Sequence, residues 1–205
     1  MHDAPTAPPF FEVVVGQRAC RAFDDDRDVA DETLAILLEA ATHAPSAENR
    51  QPWVFVVIRD AETRARVGEL TAQAWEDGAR ELSRRRLAEE LFTEVDEGAT
   101  GGISAAPVLV VVGADTDRCL DATVASSTFP AVQNLLLAAQ ALGLGSALTT
   151  LPTVHADELG AAVGLPETVV PVAVVPLGYP ARPLGPPRRE HFAGHTHRER
   201  FGQPW

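Results

Sequence analysis

The chain has 205 residues, 45% of them hydrophobic and 22% charged, which suits one globular domain with a buried core. Acidic residues outnumber basic ones by 29 to 17, and the resulting net charge of −12 argues against a protein that binds along nucleic-acid phosphates. Every cation is an arginine, which excludes Schiff-base lysines, Walker-type phosphate loops and serine–lysine catalytic pairs.

Cysteine usage and the composition of the first residues indicate the compartment. Cys20 and Cys119 are the only cysteines and lie outside any C-x-x-C motif, so we expect neither a disulfide framework nor a thiolate metal site. The first residues lack the basic and apolar regions of a signal peptide, and no apolar run approaches the ~18 residues of a membrane span. We therefore expect a reduced, cytoplasmic protein that does not associate with membranes.

The first quarter of the chain predicts a helix, a loop and a strand. Residues 9–16 predict a short helix or strand. Leucine spacing after Asp31, a plausible N-cap, predicts a helix that stops before Pro45. A polar loop over residues 46–52 then leads into a buried strand over residues 53–58.

The middle of the chain changes from charged to strongly apolar. Residues 61–97 predict solvent-facing helical segments with a break near Gly78, which the glycine-rich residues 98–102 end. Pro107 opens a β-branched apolar run that predicts a central strand. Residues 128–142 predict a helix that is apolar on nearly every face, so it is buried in the core or against a second subunit.

The last third predicts two strands, a short helix and a tail. Residues 143–150 indicate a glycine helix cap followed by a strand. A short helix is expected over residues 154–163 and a last strand over residues 169–178, where Pro171 indicates an edge position or a bulge. The tail, residues 179–205, cannot form its own core, and its aromatic residues favour wrapping along another surface.

Three other motifs are better explained without catalysis. The GLGSA sequence at residues 143–147 follows a helix and precedes a strand, the reverse of the order in a dinucleotide fingerprint. His191, His195 and His197 lie in the coreless tail, so we expect no metal site. No serine lies in a G-x-S-x-G sequence, so a hydrolase would lack its nucleophile.

Four segments carry the remaining chemistry. Arginines in loops punctuated by glycine and proline suit a phosphate group. Ser46, Asn49 and Gln51 supply donors and acceptors that fit the edge of a flat heterocycle. The four segments are QRACRAF (17–23), APSAENRQPW (44–53), the helix with GLGSALTT (128–150) and GYPARPLGPPRR (178–189).

In order and spacing, these segments resemble the FMN-dependent nitroreductase family, and the closing HRERFGQPW is similar to the ends of some members. The resemblance implies an α+β sandwich in which a mixed, mainly antiparallel sheet is flanked by helices. It also implies an intertwined homodimer with FMN sites built from both subunits. Residues 1–205 would form one FMN-binding domain, with the tail, residues 179–205, wrapping the partner subunit.

The resemblance also implies which residues contact FMN. Gln17 and Ala19 stand where the family usually has an arginine and a serine, so a phosphate contact is lost or relocated. The implied contacts are Gln17, Arg18, Ala19, Arg21 and Arg188 or Arg189 around the phosphate, ribityl chain and pyrimidine end, Pro45, Ser46, Ala47 and Asn49 from the partner subunit, and Leu148, Thr149 and Thr150 along one flavin face or edge.

By the same resemblance, FMN takes a hydride from NADPH or NADH, and a nitroaromatic or quinone then takes the electrons. No catalytic side chain is expected because the flavin carries the chemistry, and Arg21 is expected near flavin N1 and O2. Flavin fragmentation, dehalogenation or a deazaflavin donor would use the same fold. A non-catalytic flavin-binding or sequestering protein is the alternative from another class.

Overall fold

The computed structural model describes residues 8–205 and contains eight α-helices and four strands within that range. Short 3₁₀-helical and π-helical turns extend or connect several of the α-helices. The elements are α1 (Phe10–Gly16), α2 (Asp31–Thr42), β1 (Trp53–Ile58), α3 (Ala61–Ala74), α4 (Arg80–Arg84), α5 (Glu89–Glu97), α6 (Ile103–Ala105), β2 (Val108–Asp115), α7 (Val124–Ala141), β3 (Gly145–Ser146), α8 (Ala156–Val163) and β4 (Val169–Gly178).

The four strands form one antiparallel sheet in the order β1–β2–β4–β3. The apolar run after Pro107 forms β2, a central strand that is buried from Val108 to Ala114, as predicted. β1 occupies an edge, so the prediction of a buried strand over residues 53–58 is wrong in its burial. Only Ile58 is fully buried there, because one side of β1 has no neighbouring strand among residues 8–205.

Helices cover both faces of this sheet, which confirms the predicted α+β sandwich. Because side chains alternate along a strand, Val110 and Val112 face the core formed with α2 and α7. Leu109 and Val111 face the opposite core, formed with α3, α6 and α8. Apolar residues on both faces explain why β2 shows no alternation of polar and apolar residues.

Three local predictions need correction or refinement. Asp31 is the first residue of α2 and makes no capping bond, because its carboxylate instead accepts from Arg59 at 2.9 Å. The glycines at 98–102 do not end the helical segment, since the chain continues through a wide turn into α6. Pro171 lies at a β-bulge in an internal strand, where the register shifts opposite Val112 and Gly113, so the bulge alternative is correct.

The helical stretch between β1 and β2 contains a small core of its own, besides the residues of α3 and α6 that pack against the sheet. Trp75, Phe92 and Ala99 are buried together, and Leu151 from the main body packs against them. The Trp75 indole N–H donates to the Asp96 carboxylate at 2.8 Å. The Leu151 contact therefore attaches this helical stretch to the segment that follows β3.

The tail divides into two parts. Residues 179–189 run along the N-terminal loop of the same chain, where backbone hydrogen bonds hold their start. Residues 190–205 are mostly exposed and contact one another, as in the edge-to-face contacts of Phe192 with Trp205 and of His197 with Phe201. None of the helices described within residues 8–205 is both long and apolar enough to cross a bilayer.

Candidate functional site

The arginine-bearing loop over residues 17–23 is held as an extension of the sheet. Ala19 pairs with Ser146 of β3 in a parallel bridge, and the Cys20 N–H donates to the Ser146 carbonyl at 2.9 Å. A Cβ at Gly145 would lie 2.6 Å from the Cys20 sulfur, so only glycine permits this approach. The GLGSA sequence thus serves to dock the loop, and Gly143, with φ of +75°, caps α7 as predicted.

The same loop also pairs with the start of the tail. The Asp24 N–H donates to the Tyr179 carbonyl at 2.8 Å, and the Ala181 N–H donates to the Ala22 carbonyl at 3.1 Å. The Arg27 guanidinium stacks on the Tyr179 ring, 3.4 Å from its centroid. These contacts bring the arginines of both ends of the chain to one side of the molecule.

A cleft of about 320 Å³ opens where these segments meet. It contains six of the residues predicted to contact the cofactor, together with apolar side chains from α5 and α7. Its walls therefore combine guanidinium groups, which suit an anion, with an apolar surface that suits a flat ring. The lining residues are Gln17, Arg18, Ala19, Arg21, Leu91, Leu136, Ala147, Leu148, Pro187 and Arg189.

The arginines of the cleft differ in how they are already paired. Arg189 is exposed, and its guanidinium donates to the Arg188 carbonyl at 3.0 Å. Arg188 does not line the cleft. Arg18 and Arg21 lie 3.7 Å and 4.0 Å from the carboxylate of Glu94 on α5.

Arg21 is the most enclosed of these cations. Burial lowers the pKa of its guanidinium, and the neighbouring Glu94 carboxylate opposes that shift. A Cβ at Gly98 would lie 2.8 Å from Arg21 Cδ, and a Cβ at Gly102 would collide with the Arg21 carbonyl oxygen. Arg21 is therefore held against two glycines of the wide turn that follows α5, whose role was not apparent from the sequence.

Cys20 lies between Arg18 and Arg21 but takes no part in the cleft. Its side chain is buried, and burial raises the pKa of the thiol despite the nearby arginines. The thiol hydrogen bonds to the Ala22 carbonyl at 3.2 Å. Cys20 is thus a protonated packing residue and not a nucleophile.

The loop over residues 45–51 does not reach this cleft of the same chain, since Pro45, Ser46, Ala47 and Asn49 are absent from its lining. Its backbone is strained: Glu48, Asn49 and Gln51 have φ of 54°, 54° and 51°, in the left-handed region. Such strain persists only where surrounding contacts hold it, and it concentrates at functional sites.

Two hydroxyl groups hold that strained loop. The Ser46 hydroxyl accepts from the Gln51 N–H at 3.0 Å, and the Ser127 hydroxyl of α7 accepts from the Ala47 N–H at 3.1 Å. Pro45 and Asn49 remain exposed. The loop therefore presents them outward in a fixed conformation.

The three residues after β3 have different environments. Leu148 lines the cleft and is 41% exposed. Thr149 is buried, with its backbone paired to Val174 and its hydroxyl accepting from the Leu151 N–H at 3.2 Å, so it holds the loop in place. Thr150 is exposed and does not line the cleft.

A second cavity of about 370 Å³ adjoins the cleft and shares Arg18, Ala19 and Arg21 with it. It adds Arg182 from the tail and Glu94 from α5, neither of which was singled out from the sequence. The only sequence signal for Arg182 was its position in the GYPARP segment. Glu94 lies in the motif-free region, where nothing distinguishes it from other helix glutamates.

One family model and several known proteins are similar to this chain. The model described as the nitroreductase family matches residues 14–179. A protein of Methanothermobacter thermautotrophicus, named as an NADH dehydrogenase/NAD(P)H nitroreductase, is 29% identical over 195 residues, covering 88% of this chain and 85% of its own. A protein of Archaeoglobus fulgidus with the same name is 31% identical over 176 residues, and the match covers 82% of this chain and 84% of that protein.

Solved structures show the same fold. A protein of Desulfovibrio desulfuricans, described as a nitroreductase in complex with FMN, superposes with a TM-score of 0.72. It is 28% identical, and the match covers 96% of this chain and 99% of that one.

Proposed function

This chain belongs to the nitroreductase family, and we propose that it is an FMN-dependent oxidoreductase that passes electrons from NADPH or NADH to an electron-poor small molecule. The observation that carries the proposal is the cleft in which Arg18, Arg21 and Arg189 converge beside an apolar wall. Relatives named as NAD(P)H nitroreductases support the activity, and the FMN complex of a relative supports the cofactor.

The residues of the cleft fit FMN by their chemistry. Arginine forms charge-assisted pairs with phosphate, and Arg189 meets no carboxylate within 4 Å among residues 8–205, so its charge is available for one. Leu91, Leu136 and Leu148 supply the apolar contact that a flat ring requires. A volume of about 320 Å³ in an open cleft, with a second cavity beside it, lies within the usual range for cofactor sites.

The side chains of this cleft would have separate tasks. Arg189, with Gln17 in the place of the family's usual arginine, would bind the phosphate. Arg21 would hold its charge beside the pyrimidine edge, where negative charge collects on reduction, and such a preset charge stabilises the developing anion without reorganisation. When bound, FMN supplies the two-electron chemistry, so the protein itself needs no nucleophile.

We further propose that the functional unit is a homodimer. Pro45, Ser46, Ala47 and Asn49 lie outside the cleft of their own protomer, in a strained loop that presents Pro45 and Asn49 outward. That arrangement suits a loop that completes the cofactor site of a second copy. Exposed apolar side chains support an interface, including Phe10 and Phe11 of α1 and Phe201 and Trp205 of the tail.

The acceptor is proposed to be a nitroaromatic or a quinone, taken up beside the exposed Leu148 and Leu91. Hydride transfer from a reduced flavin requires the acceptor to lie in contact with it, and a flat, electron-poor ring would pack against these two leucines, the open apolar residues of the cleft. The cytoplasmic location stays a prediction.

The deciding experiment is to purify the full chain and identify its chromophore. The cofactor released by heat should co-elute with FMN on a column, whereas FAD, or no flavin after reconstitution, would refute the proposal. The holoprotein should then oxidise NADPH or NADH steadily with menadione or a nitrofuran as acceptor. Tight FMN binding with negligible turnover would identify the alternative, a flavin-sequestering protein.

A further inference from the structure

Glu94 is the meeting point of three guanidinium groups. Its carboxylate lies 3.4 Å from Arg182 of the tail, 3.7 Å from Arg18 and 4.0 Å from Arg21. The three arginines come from both ends of the chain, while Glu94 comes from α5 in its middle. One acidic side chain thus faces the cations of the cleft from the adjoining cavity.

The geometry of this cluster is that of a shared counter-ion and not of a tight pair. None of the three separations is shorter than 3.4 Å, and with one carboxylate among three guanidinium groups the cluster keeps a net positive charge. Arg21 and Arg18 are similarly enclosed, with 27% and 29% of their side chains exposed, whereas 70% of the Arg182 side chain is exposed. Because charges act more strongly where water is partly excluded, Glu94 offsets the charges of Arg21 and Arg18 more effectively than that of exposed Arg182.

Glu94 is not required to hold α5 in place. The helix is anchored by buried Phe92, and Asp96 accepts from the Trp75 indole and from Arg80, each at 2.8 Å. Arg21 is likewise held against Gly98 and Gly102. Removing the charge of Glu94 should therefore change the electrostatics of the cleft while leaving its backbone in place.

We propose that Glu94 is a positioning residue that acts through Arg21 to set the reduction potential of the bound flavin. This inference rests on the proposed function, since it assigns Arg21 to the flavin edge. The Glu94 carboxylate offsets the Arg21 charge and limits how strongly the site favours the reduced, more negative cofactor. Loss of that carboxylate makes the flavin easier to reduce.

The test is the midpoint potential of Glu94→Gln and wild-type protein, both full-length and loaded with FMN. The substitution keeps the size and polarity of the side chain and removes only its charge. We expect a more positive potential, with the equilibrium between oxidised and reduced flavin shifted about tenfold, or about 30 mV for a two-electron couple. A potential equal to that of the wild type would overturn the inference.

Two further variants separate this effect from a structural one. Glu97→Gln removes a carboxylate that lines the same cavity but has no arginine within 4 Å among residues 8–205, and it should leave the potential unchanged. Arg182→Gln releases Glu94 toward Arg21 and should move the potential the other way. If Glu94→Gln fails to fold or to retain FMN, Arg182→Gln decides the inference when it is made both in the wild type and in an Arg21→Gln background. An unchanged or more positive potential in the wild type, or a shift of the same size in both backgrounds, would then overturn it.

The action through Arg21 is tested in an Arg21→Gln background. If Glu94 acts through Arg21, Glu94→Gln should have little effect there, because the charge that it offsets is gone. A full shift in that background would show that Glu94 acts on the flavin directly and would overturn the proposed route. Failure of the wild type to bind FMN would instead refute the proposed function itself, and with it this inference.

Discussion

Substituting the two neighbouring arginines of the tail separately tests which one binds the cofactor phosphate. Arg189 lines the cleft and Arg188 does not, although both are exposed and adjacent. A hydrogen bond to a charged group contributes about 1.5 to 3 kcal/mol, and the exposure of Arg189 argues for about 1.5. Arg189→Gln should therefore raise the FMN dissociation constant by roughly tenfold, while Arg188→Gln should change it by less than about twofold.

The assay is a titration of apoprotein with FMN, in which binding is measured by the quenching of flavin fluorescence. The titration is carried out at low and at high salt. The difference in FMN dissociation constant between Arg189→Gln and the wild type should shrink at about 1 M salt, because charges are then screened beyond about 3 Å. The reduction potential of Arg189→Gln should stay near that of the wild type, whereas Arg21→Gln should lower it. Equal weakening by Arg188→Gln and Arg189→Gln, or an unchanged affinity for Arg189→Gln, would refute the assignment.

Three other outcomes follow from the packing. Gly98→Ala places a methyl group 2.8 Å from Arg21 Cδ and should lower the flavin potential, whereas Gly101→Ala, with open space around it, should not. Hydrogen bonds from Trp75 and Arg80 hold the pKa of the Asp96 carboxyl below its ordinary value. The ionised carboxylate therefore stabilises the folded protein at neutral pH, and this stabilisation is lost as the pH falls below about 4. Asp96→Asn should flatten the acid dependence of the urea midpoint, and a slope equal to the wild type's would contradict this. Light scattering at micromolar concentration should return twice the chain mass of 21.9 kDa, and a stable monomer would contradict the dimer.

Residue patterns within single segments of the sequence were enough to predict several helices and strands and the end of one helix. The leucine spacing after Asp31 predicts α2 because a helix repeats every ~3.6 residues. The β-branched run after Pro107 predicts the central strand, and Gly143 predicts the end of α7 because only glycine readily adopts a positive φ. The arginine segments at both ends of the chain, with their resemblance to a family, also indicated most residues of the cleft.

What the sequence could not supply was set by contacts between distant segments. Strand order and the path of the tail decide three such features: β1 lies at an edge, Thr149 is used for backbone pairing, and Arg189 lines the cleft in preference to Arg188. Glu94 approaches Arg21 across more than seventy positions of chain. No periodicity marks that approach, because the position of a charged helix residue next to another segment is fixed only when the helix, the sheet and the tail pack together.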